Sequence, residues 1–171
     1  MATPAKPANE EDRLAALHAL EILDTPSHET YDGITRFACN EFGVSVSAIT
    51  LLDAERQWFK SAIGVSVNET LRAMSFCAHT ILEDEPVVVP NTTKDERFCK
   101  HPLVVAEQRF RFYAGHRIHD PTGYAIGAFE LVHDEPKDFD KIETAKLVEL
   151  AKITETQIAM DYGNNQKRPP G

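Results

Sequence analysis

The segment RFRFYAGHRI, residues 109–118, constrains the fold most because polar and apolar residues alternate along it. Successive side chains of a β-strand point to opposite faces of the sheet. The alternation therefore predicts a strand with two different faces: Arg109, Arg111 and Tyr113 on one, and Phe110, Phe112 and Ala114 on the other. The turn signature DPTG (120–123) and the run YAIGAFELVHD follow directly and complete a β-hairpin. A sheet that contains this hairpin is predicted to be mainly antiparallel.

Other segments predict a second hairpin and three larger helices. The apolar run VSAITLLD (46–53), a tight turn at Ala54 and the run RQWFKSAIG (56–64) form the hairpin. The segment EEDRLAALHALEIL (10–23) predicts a first helix, and a second helix follows with Ser27 as its N-cap and Gly43 at its end. The last long helix, residues 138–160, shows an apolar stripe formed by Ile142, Ala145, Val148, Ala151 and Ile158.

The order of these elements predicts an α+β domain. The terminal helices are expected to cover one face of the sheet. The other face is left to a short helix that starts at Ser75 and to the irregular segment 91–108. A sheet covered by loops is a natural place for a small-molecule pocket, because loops change shape without loss of the core.

Charge and composition exclude several function classes. The net charge is −9, and the isoelectric point is near 5.2, so a nucleic-acid-binding or membrane-surface role is not expected. No apolar run approaches the roughly 18 residues of a membrane span, and the start of the chain lacks a signal-peptide core. Three cysteines without an export signal favour reduced thiols in the cytoplasm. We expect flexible tails at residues 1–10 and 162–171 around one domain at 11–161.

Seven stretches in order resemble a GAF domain, in the branch found near the N-terminus of bacterial signalling proteins such as sensor kinases and diguanylate cyclases. They are ALEILDTPSHETYDGITRFA, AITLLDAERQWFKSAIG, SFCAHTIL, VVVPNTTKDERF, HPLV, RFYAG and IGAFELV. The resemblance implies a six-stranded antiparallel sheet between helical layers. It also implies a regulatory or ligand-sensing role and, frequently, a homodimer formed through the terminal helices.

The last strand departs from that branch at Glu130. The branch usually has a small neutral residue at this place, whereas this chain reads GAFELVH from Gly127. By alternation Glu130 shares a face with Ala128 and Val132. Two interpretations stay open: a carboxylate that accepts from a cationic or hydrogen-bond-donating ligand, or a partly solvated strand position.

The segment MSFCAHTIL places Cys77 two residues before His79. On a helix such residues point about 200° apart, so the two side chains cannot easily share one metal or proton. Cys77 is interpreted as a small buried hydrophobe, and His79 as a hydrogen-bonded structural residue with a pocket-facing role still open. Together with Cys99 and His101 they have the residue types of a Cys₂His₂ zinc site. Their spacing is unlike that of zinc sites, so we predict no metal.

An enzymatic alternative comes from the GAF branch that resembles free methionine-(R)-sulfoxide reductase. Such an enzyme attacks the sulfoxide with a thiolate and resolves the sulfenic acid with a second cysteine. In this chain the two thiols would be Cys77 and Cys99. The branch carries clustered cysteines and a second acidic residue where this chain has Val132. The bilin and cyclic-nucleotide signatures of other GAF domains do not fit the sequence either.

We therefore predict a ligand-sensing regulatory domain that acts through a partner protein or its own dimer. No catalytic residue and no cofactor are expected, apart from an unidentified small-molecule ligand. The alternatives are the thiol-dependent reductase and a pure dimerisation scaffold. The residues predicted to bind the ligand share the segments that border the pocket: Phe76, Cys77, His79, Phe98, Arg111, Tyr113 and Glu130.

Overall fold

The computed structural model describes residues 3–107 and 109–170 of the chain. Its six strands are β1 Val46–Leu52, β2 Arg56–Ile63, β3 Glu69–Leu71, β4 Val87–Val89, β5 Phe112–His119 and β6 Ala125–His133. Its five α-helices are α1 Glu10–Ala19, α2 Glu29–Phe42, α3 Cys77–Thr80, α4 Pro102–Val105 and α5 Lys141–Gln166. Two 3-10 turns, Arg72–Met74 and Thr92–Lys94, complete the described elements.

All six strands form one sheet in the order β3-β2-β1-β6-β5-β4. Every pairing is antiparallel, and the central pair β1 and β6 joins the two predicted hairpins. The predicted six-stranded antiparallel α+β fold is confirmed. Strand β3 is a strand that the residue pattern did not indicate, because it is only three residues long and two of the three are polar.

The back face of the sheet is covered by α1, α2 and α5, as predicted. The side chains that fill this layer are almost entirely apolar and come from all three helices and four strands; they include Leu17, Phe42, Ile49, Trp58, Phe112, Phe129, Leu131, Leu147 and Ile158. Burial of apolar surface on this scale is the dominant stabilising term of a domain of this size. The back layer is therefore the stable platform on which the front face is built.

Helix α2 begins one residue later than the sequence predicts. Its N-cap is His28, whose Nδ1 accepts a hydrogen bond from the Thr30 amide at 3.2 Å, and not Ser27. An imidazole nitrogen satisfies a free helix amide as a hydroxyl does, and sequence rules favour the hydroxyl. Gly43 ends the helix as predicted, with a φ of 61°, which is open to glycine at little cost.

The apolar stripe predicted for α5 is confirmed at Ala151 and Ile158, which are buried, and wrong at Ile142 and Ala145, which are exposed. The buried residues are Leu147, Leu150, Ala151, Thr154 and Ile158, whereas Ile142 is 69% exposed. Apolar residues occur on more than one side of this helix, so periodicity alone does not select the buried side. A capping box formed by Asp140 and Glu143 fixes the start of the helix.

The predicted domain boundaries stay predictions. Helix α5 continues to Gln166 and so runs into the segment 162–171 that composition describes as a tail. Met1, Ala2 and Gly171, which belong to the predicted tails, lie outside the described residues, and so does Gln108 of the irregular segment. None of the described helices combines the length and apolar character that crossing a bilayer requires.

Strand β5 starts at Phe112, later than the alternation suggests. Arg109 has a φ of 44°, a left-handed conformation that is incompatible with an extended strand. The face assignment consequently holds for Tyr113 against Phe112 and Ala114, but not for Phe110. Phe110 packs on the same side as Tyr113, because the chain turns before the strand begins.

Candidate ligand cavity on the front face

The front face of the sheet is covered by α3, α4 and the segments around them, and a cavity of about 460 Å³ lies beneath them. Its floor is formed by β1, β2 and β6, and its rim by residues 64–67 and by α4. The apolar side chains of its lining are Val46, Ala48, Phe59, Val65, Val67, Met74, Phe76, Leu103, Phe110 and Val132. Cavities of this volume with mostly apolar walls and few polar groups are typical of small-molecule sites.

Glu130 lies on the floor of this cavity in the middle of β6. Its neighbours across the sheet are Ala48 on β1 and Gly115 on β5, so it is enclosed from both sides and only 5% exposed. The Tyr113 hydroxyl donates a hydrogen bond to its Oε1 at 2.9 Å. The Thr80 hydroxyl lies 2.5 Å from the same Tyr113 oxygen. Since Tyr113 donates its hydrogen to Glu130, Thr80 donates to Tyr113, and the chain of hydrogen bonds links α3, β5 and β6.

The protonation of this network follows from its burial. Removal from water disfavours the carboxylate and raises the pKa of Glu130 to about 7, although the hydrogen bond from Tyr113 opposes the rise. Burial and the nearby Glu130 also raise the pKa of Tyr113 well above its ordinary value. Tyr113 is therefore a neutral donor at any pH that the protein meets, while Glu130 titrates near neutrality.

Gly115 makes the position of Tyr113 possible. The two residues share a face of β5, and the tyrosine ring folds back over the glycine. A Cβ at position 115 would lie 2.3 Å from the Tyr113 hydroxyl oxygen and 3.2 Å from Thr80 Oγ1. A glycine inside a strand is the sequence signal for such a close approach, and it stands in the RFYAG stretch.

Five rings form an aromatic cluster beside the cavity: Phe76, His79, Phe98, His101 and Tyr113. Phe76 is its centre, with ring centroids 4.8 Å from Phe98, 4.6 Å from His101 and 5.1 Å from Tyr113. His79 contacts Phe98 edge-on at 5.1 Å. Of the five rings, Phe76 lines the cavity, and the other four pack around Phe76 outside the lining.

Cys77 and His79 point to different sides of α3, as their spacing predicts. Cys77 is fully buried against Leu52, Ile81 and Ala128. This burial, with Glu130 nearby, raises the pKa of its thiol well above the ordinary value, so the thiolate is disfavoured. Burial lowers the pKa of His79, which is consistent with a neutral ring among aromatic neighbours.

Cys99 and His101 lie in the segment that covers the front face of the sheet. Both ring nitrogens of His101 have backbone partners: Nε2 lies 2.8 Å from the Met74 carbonyl oxygen, and Nδ1 accepts from the Leu103 amide at 3.1 Å. Cys99 is half-buried in the stretch between the 3-10 turn Thr92–Lys94 and α4. Within residues 3–107 and 109–170, no three His, Cys, Asp or Glu side chains are grouped so as to hold a metal ion.

Arg111 fastens the covering segment to the sheet. Its guanidinium donates to the Val104 carbonyl at 2.7 Å and to the Phe110 carbonyl at 3.3 Å, and it does not line the cavity. Arg117, further along the same strand, instead pairs with the Asp84 carboxylate at 2.6 Å. Arg111 bonds to carbonyl groups because the turn before β5 brings α4 within its reach.

Of the seven residues predicted to bind a ligand, Phe76 and Glu130 line the cavity. The other five lie near the cavity but do not line it: Cys77, His79, Phe98, Arg111 and Tyr113. Gln57 was not predicted to bind a ligand, but it lines the cavity from β2 and is 6% exposed. The available signal was alternation in RQWFKSAIG, which places Gln57 and Phe59 on the front face.

A second feature that the sequence did not predict is a group of ion pairs that connects α1 to the segment before α3. The Glu10 carboxylate accepts hydrogen bonds from Arg13, at 2.9 and 3.0 Å, and from Arg72, and both arginines are buried. Burial alone would raise the pKa of Glu10, but the hydrogen bonds from both guanidinium groups lower it to about 2. Arg72 also donates to the Asp53 carbonyl at 3.0 Å, so one carboxylate holds α1 to the segment that leads into α3.

A family model described as the GAF domain matches residues 26–158, which include all six strands. The chain belongs to the GAF domain family. The resemblance seen in the seven stretches is thereby confirmed, and GAF domains are signalling or ligand-sensing domains.

A curated GAF relative is a cyclic di-GMP phosphodiesterase of Pseudomonas aeruginosa. The identity is 33% over 159 residues, which are 92% of this chain and 27% of that protein. The chain thus spans about a quarter of the length of this relative. The phosphodiesterase activity is that of the whole relative.

Solved structures share the GAF fold at low identity. The GAF domain of an Acinetobacter phosphoenolpyruvate-protein phosphotransferase has a TM-score of 0.66 at 20% identity, over 91% of this chain and 98% of that one. A free methionine-R-sulfoxide reductase from Neisseria meningitidis, in complex with its substrate, has a TM-score of 0.64 at 14% identity, over 96% and 98%. Proteins with different functions therefore share this architecture, so the fold alone does not decide the function.

Proposed function

We propose that this GAF domain is a regulatory module that binds a small molecule in the front cavity. The observation that carries the proposal is a cavity of about 460 Å³ with apolar walls and a buried carboxyl group, Glu130, on its floor. A carboxyl group is costly to bury, and a ligand that hydrogen-bonds to it offsets part of that cost. The covering segments are short helices and loops, which change position more easily than the back layer.

The signal would leave through the back of the domain. Exposed apolar side chains occur on the outer surfaces of α2 and α5: Phe37, Ile142, Ile153 and Met160. The two helices are joined by the ion pair of Lys146 with Glu41 at 2.6 Å. We infer a homodimer through these helices, in which a ligand shifts the population between two packings of the pair.

The output would be a signalling enzyme in the cytoplasm. The curated relative couples a segment similar to this chain with a much longer protein that is a cyclic di-GMP phosphodiesterase. An enzyme of this kind is the partner class that we infer. Measurement of the activity of such an enzyme with and without this domain tests the inference, and an unchanged activity contradicts it.

The cavity itself is tested by native mass spectrometry of the purified protein. We expect an additional mass that is lost on denaturation. A Val65→Trp variant should lose this mass, because the indole fills the rim of the cavity, while Val105→Trp on the exposed surface should retain it. Equal occupancy in both variants would place the bound molecule elsewhere, and absence of any bound mass would favour the dimerisation scaffold.

The reductase alternative is supported by the shared fold, but not by the thiols. Cys77 is fully buried, its thiolate is disfavoured, and neither Cys77 nor Cys99 lines the cavity. We expect no turnover of free methionine-(R)-sulfoxide in the presence of a thioredoxin reducing system. Turnover that disappears in Cys77→Ser would establish the enzyme and overturn the sensory assignment.

A further inference from the structure

Gln57 has a buried acceptor that points to a ligand. Its side chain stands on the front face of β2, opposite Leu52 on β1 and Thr70 on β3. Its Nε2 donates to Thr70 Oγ1 at 3.4 Å, while its Oε1 is buried without a hydrogen-bond partner among the described residues. Buried amide oxygens nearly always have a donor, so this oxygen in a cavity wall indicates a missing one.

Glu130 is the second acceptor of the cavity. It receives one hydrogen bond from Tyr113 and has capacity for further donors. The groups that face it from neighbouring elements are Tyr113 on β5, Thr50 on β1 and Cys77 on α3, and none of them carries a positive charge. Gln57 lies on β2 and Glu130 on β6, the two strands that flank β1, so both reach the same cavity.

The charges around the cavity have one sign. Of the described residues that line it, Glu130 and Asp134 are acidic, and none is Lys, Arg or His. An anionic ligand would therefore meet no counter-charge and two repelling groups. A ligand with nitrogen-bound hydrogens would satisfy the Gln57 oxygen and, as a cation, would compensate Glu130.

We propose that the cavity takes a compact, largely apolar amine or amidine, with Gln57 Oε1 and the Glu130 carboxyl group as its hydrogen-bond acceptors. This inference rests on the proposed sensory function and adds the chemical class of the ligand. The volume of about 460 Å³ accommodates one aromatic ring system with a short nitrogen-bearing arm. Val46, Phe76 and Val132 would pack against the ring.

The test compares tryptamine with indole-3-propionate, which have the same ring and opposite charges. Each is titrated into the full-length ¹⁵N-labelled protein at pH 8, where Glu130 is mostly ionised, and binding is followed by NMR shifts of residues 46, 65 and 76. We expect tryptamine to bind at least tenfold more tightly. Tighter binding of indole-3-propionate would mean that the Gln57 amide presents its donors, and it would overturn the ligand class while the cavity function stands.

Two variants test the acceptors. Gln57→Met and Glu130→Gln should each weaken tryptamine binding about tenfold, which corresponds to about 1.4 kcal/mol. Gln157→Met on α5, outside the cavity lining, is the matched control and should leave binding unchanged. Tryptamine binding that is equal in all three variants would overturn the proposed roles. No shift with either compound at millimolar concentration would overturn the ligand class, whereas the cavity function is decided separately by the bound mass in the native mass spectrum.

Discussion

The two faces of the sheet differ in the kinds of side chain that they bury. The back face buries one continuous apolar layer under three helices, with a few paired polar groups at its edges. The front face buries two smaller apolar clusters, a carboxyl group, an amide and a thiol, and it contains the cavity. The comparison shows that a continuous apolar layer stabilises one side of the domain, whereas the other side holds buried polar groups, which cost free energy unless they are hydrogen-bonded.

The largest expected effect is on the back face. Phe129→Ala removes a fully buried ring from the central strand and should lower the free energy of unfolding by about 3–5 kcal/mol, measured by urea denaturation. Leu71→Ala on β3 is the control, because this side chain is 68% exposed, lies outside the proposed dimer surface and should cost less than about 1 kcal/mol. Similar losses for both would contradict the description of the back face as the stable platform.

A second effect, of opposite sign, is expected on the front face. Folding raises the pKa of Glu130 from 4.5 to about 7. The contribution of this group to the free energy of unfolding is therefore fully present below pH 4.5 and is lost as the pH rises through 7. Glu130→Gln stays neutral at every pH. It should therefore be more stable than the native protein at pH 8, by on the order of 3 kcal/mol, and about equally stable at pH 4.5.

The comparison uses urea unfolding of both proteins at each pH. Burial lowers the pKa of three histidines, His79, His101 and His116, below the ordinary value, so they add a pH dependence of their own. They are present in both proteins, so the difference between the two isolates Glu130. A difference that does not change between pH 4.5 and 8 would show that Glu130 is not the titrating group.

The smallest effect sharpens the description of the hydrogen-bond chain. Gly115→Ala places a methyl group against the Tyr113 ring and should cost about 1–3 kcal/mol through overpacking and displacement of the hydroxyl from Glu130. Gly33→Ala on α2 meets no atom within 4 Å and should instead stabilise the protein by about 0.5–1 kcal/mol. Thermal unfolding distinguishes the two, and a stabilising Gly115→Ala would refute the close approach.

The sequence predicts the back face better than the front face because periodicity reports burial against a regular layer. Both hairpins and the three terminal helices follow from it. The buried side of α5 follows only in its second half, at Ala151 and Ile158, because the first half buries Leu147 and leaves Ile142 exposed. Glu130 was found because a carboxyl group in the middle of an apolar strand is unusual. Gln57 was missed because one polar residue in an edge-side strand is ordinary, and its lack of a partner depends on distant segments.

The front segments also show why neighbouring residues in sequence differ in role. Phe76 lines the cavity while Cys77 packs behind it, and Phe110 joins the front because Arg109 turns the chain. Backbone turns of one or two residues decide these outcomes. Their energies are too small, and too dependent on tertiary contacts, to be read from residue types alone.

The Glu10 carboxylate sets a limit on how far the N-terminus can be trimmed. The family match begins at residue 26, but a chain shortened to that point would lose Glu10 and Leu17 together. Arg72 would then remain in a buried place with a carbonyl group as its remaining partner, and the apolar surface under Leu17 would be open to water. The shortest fragment that keeps both faces intact therefore begins before Glu10.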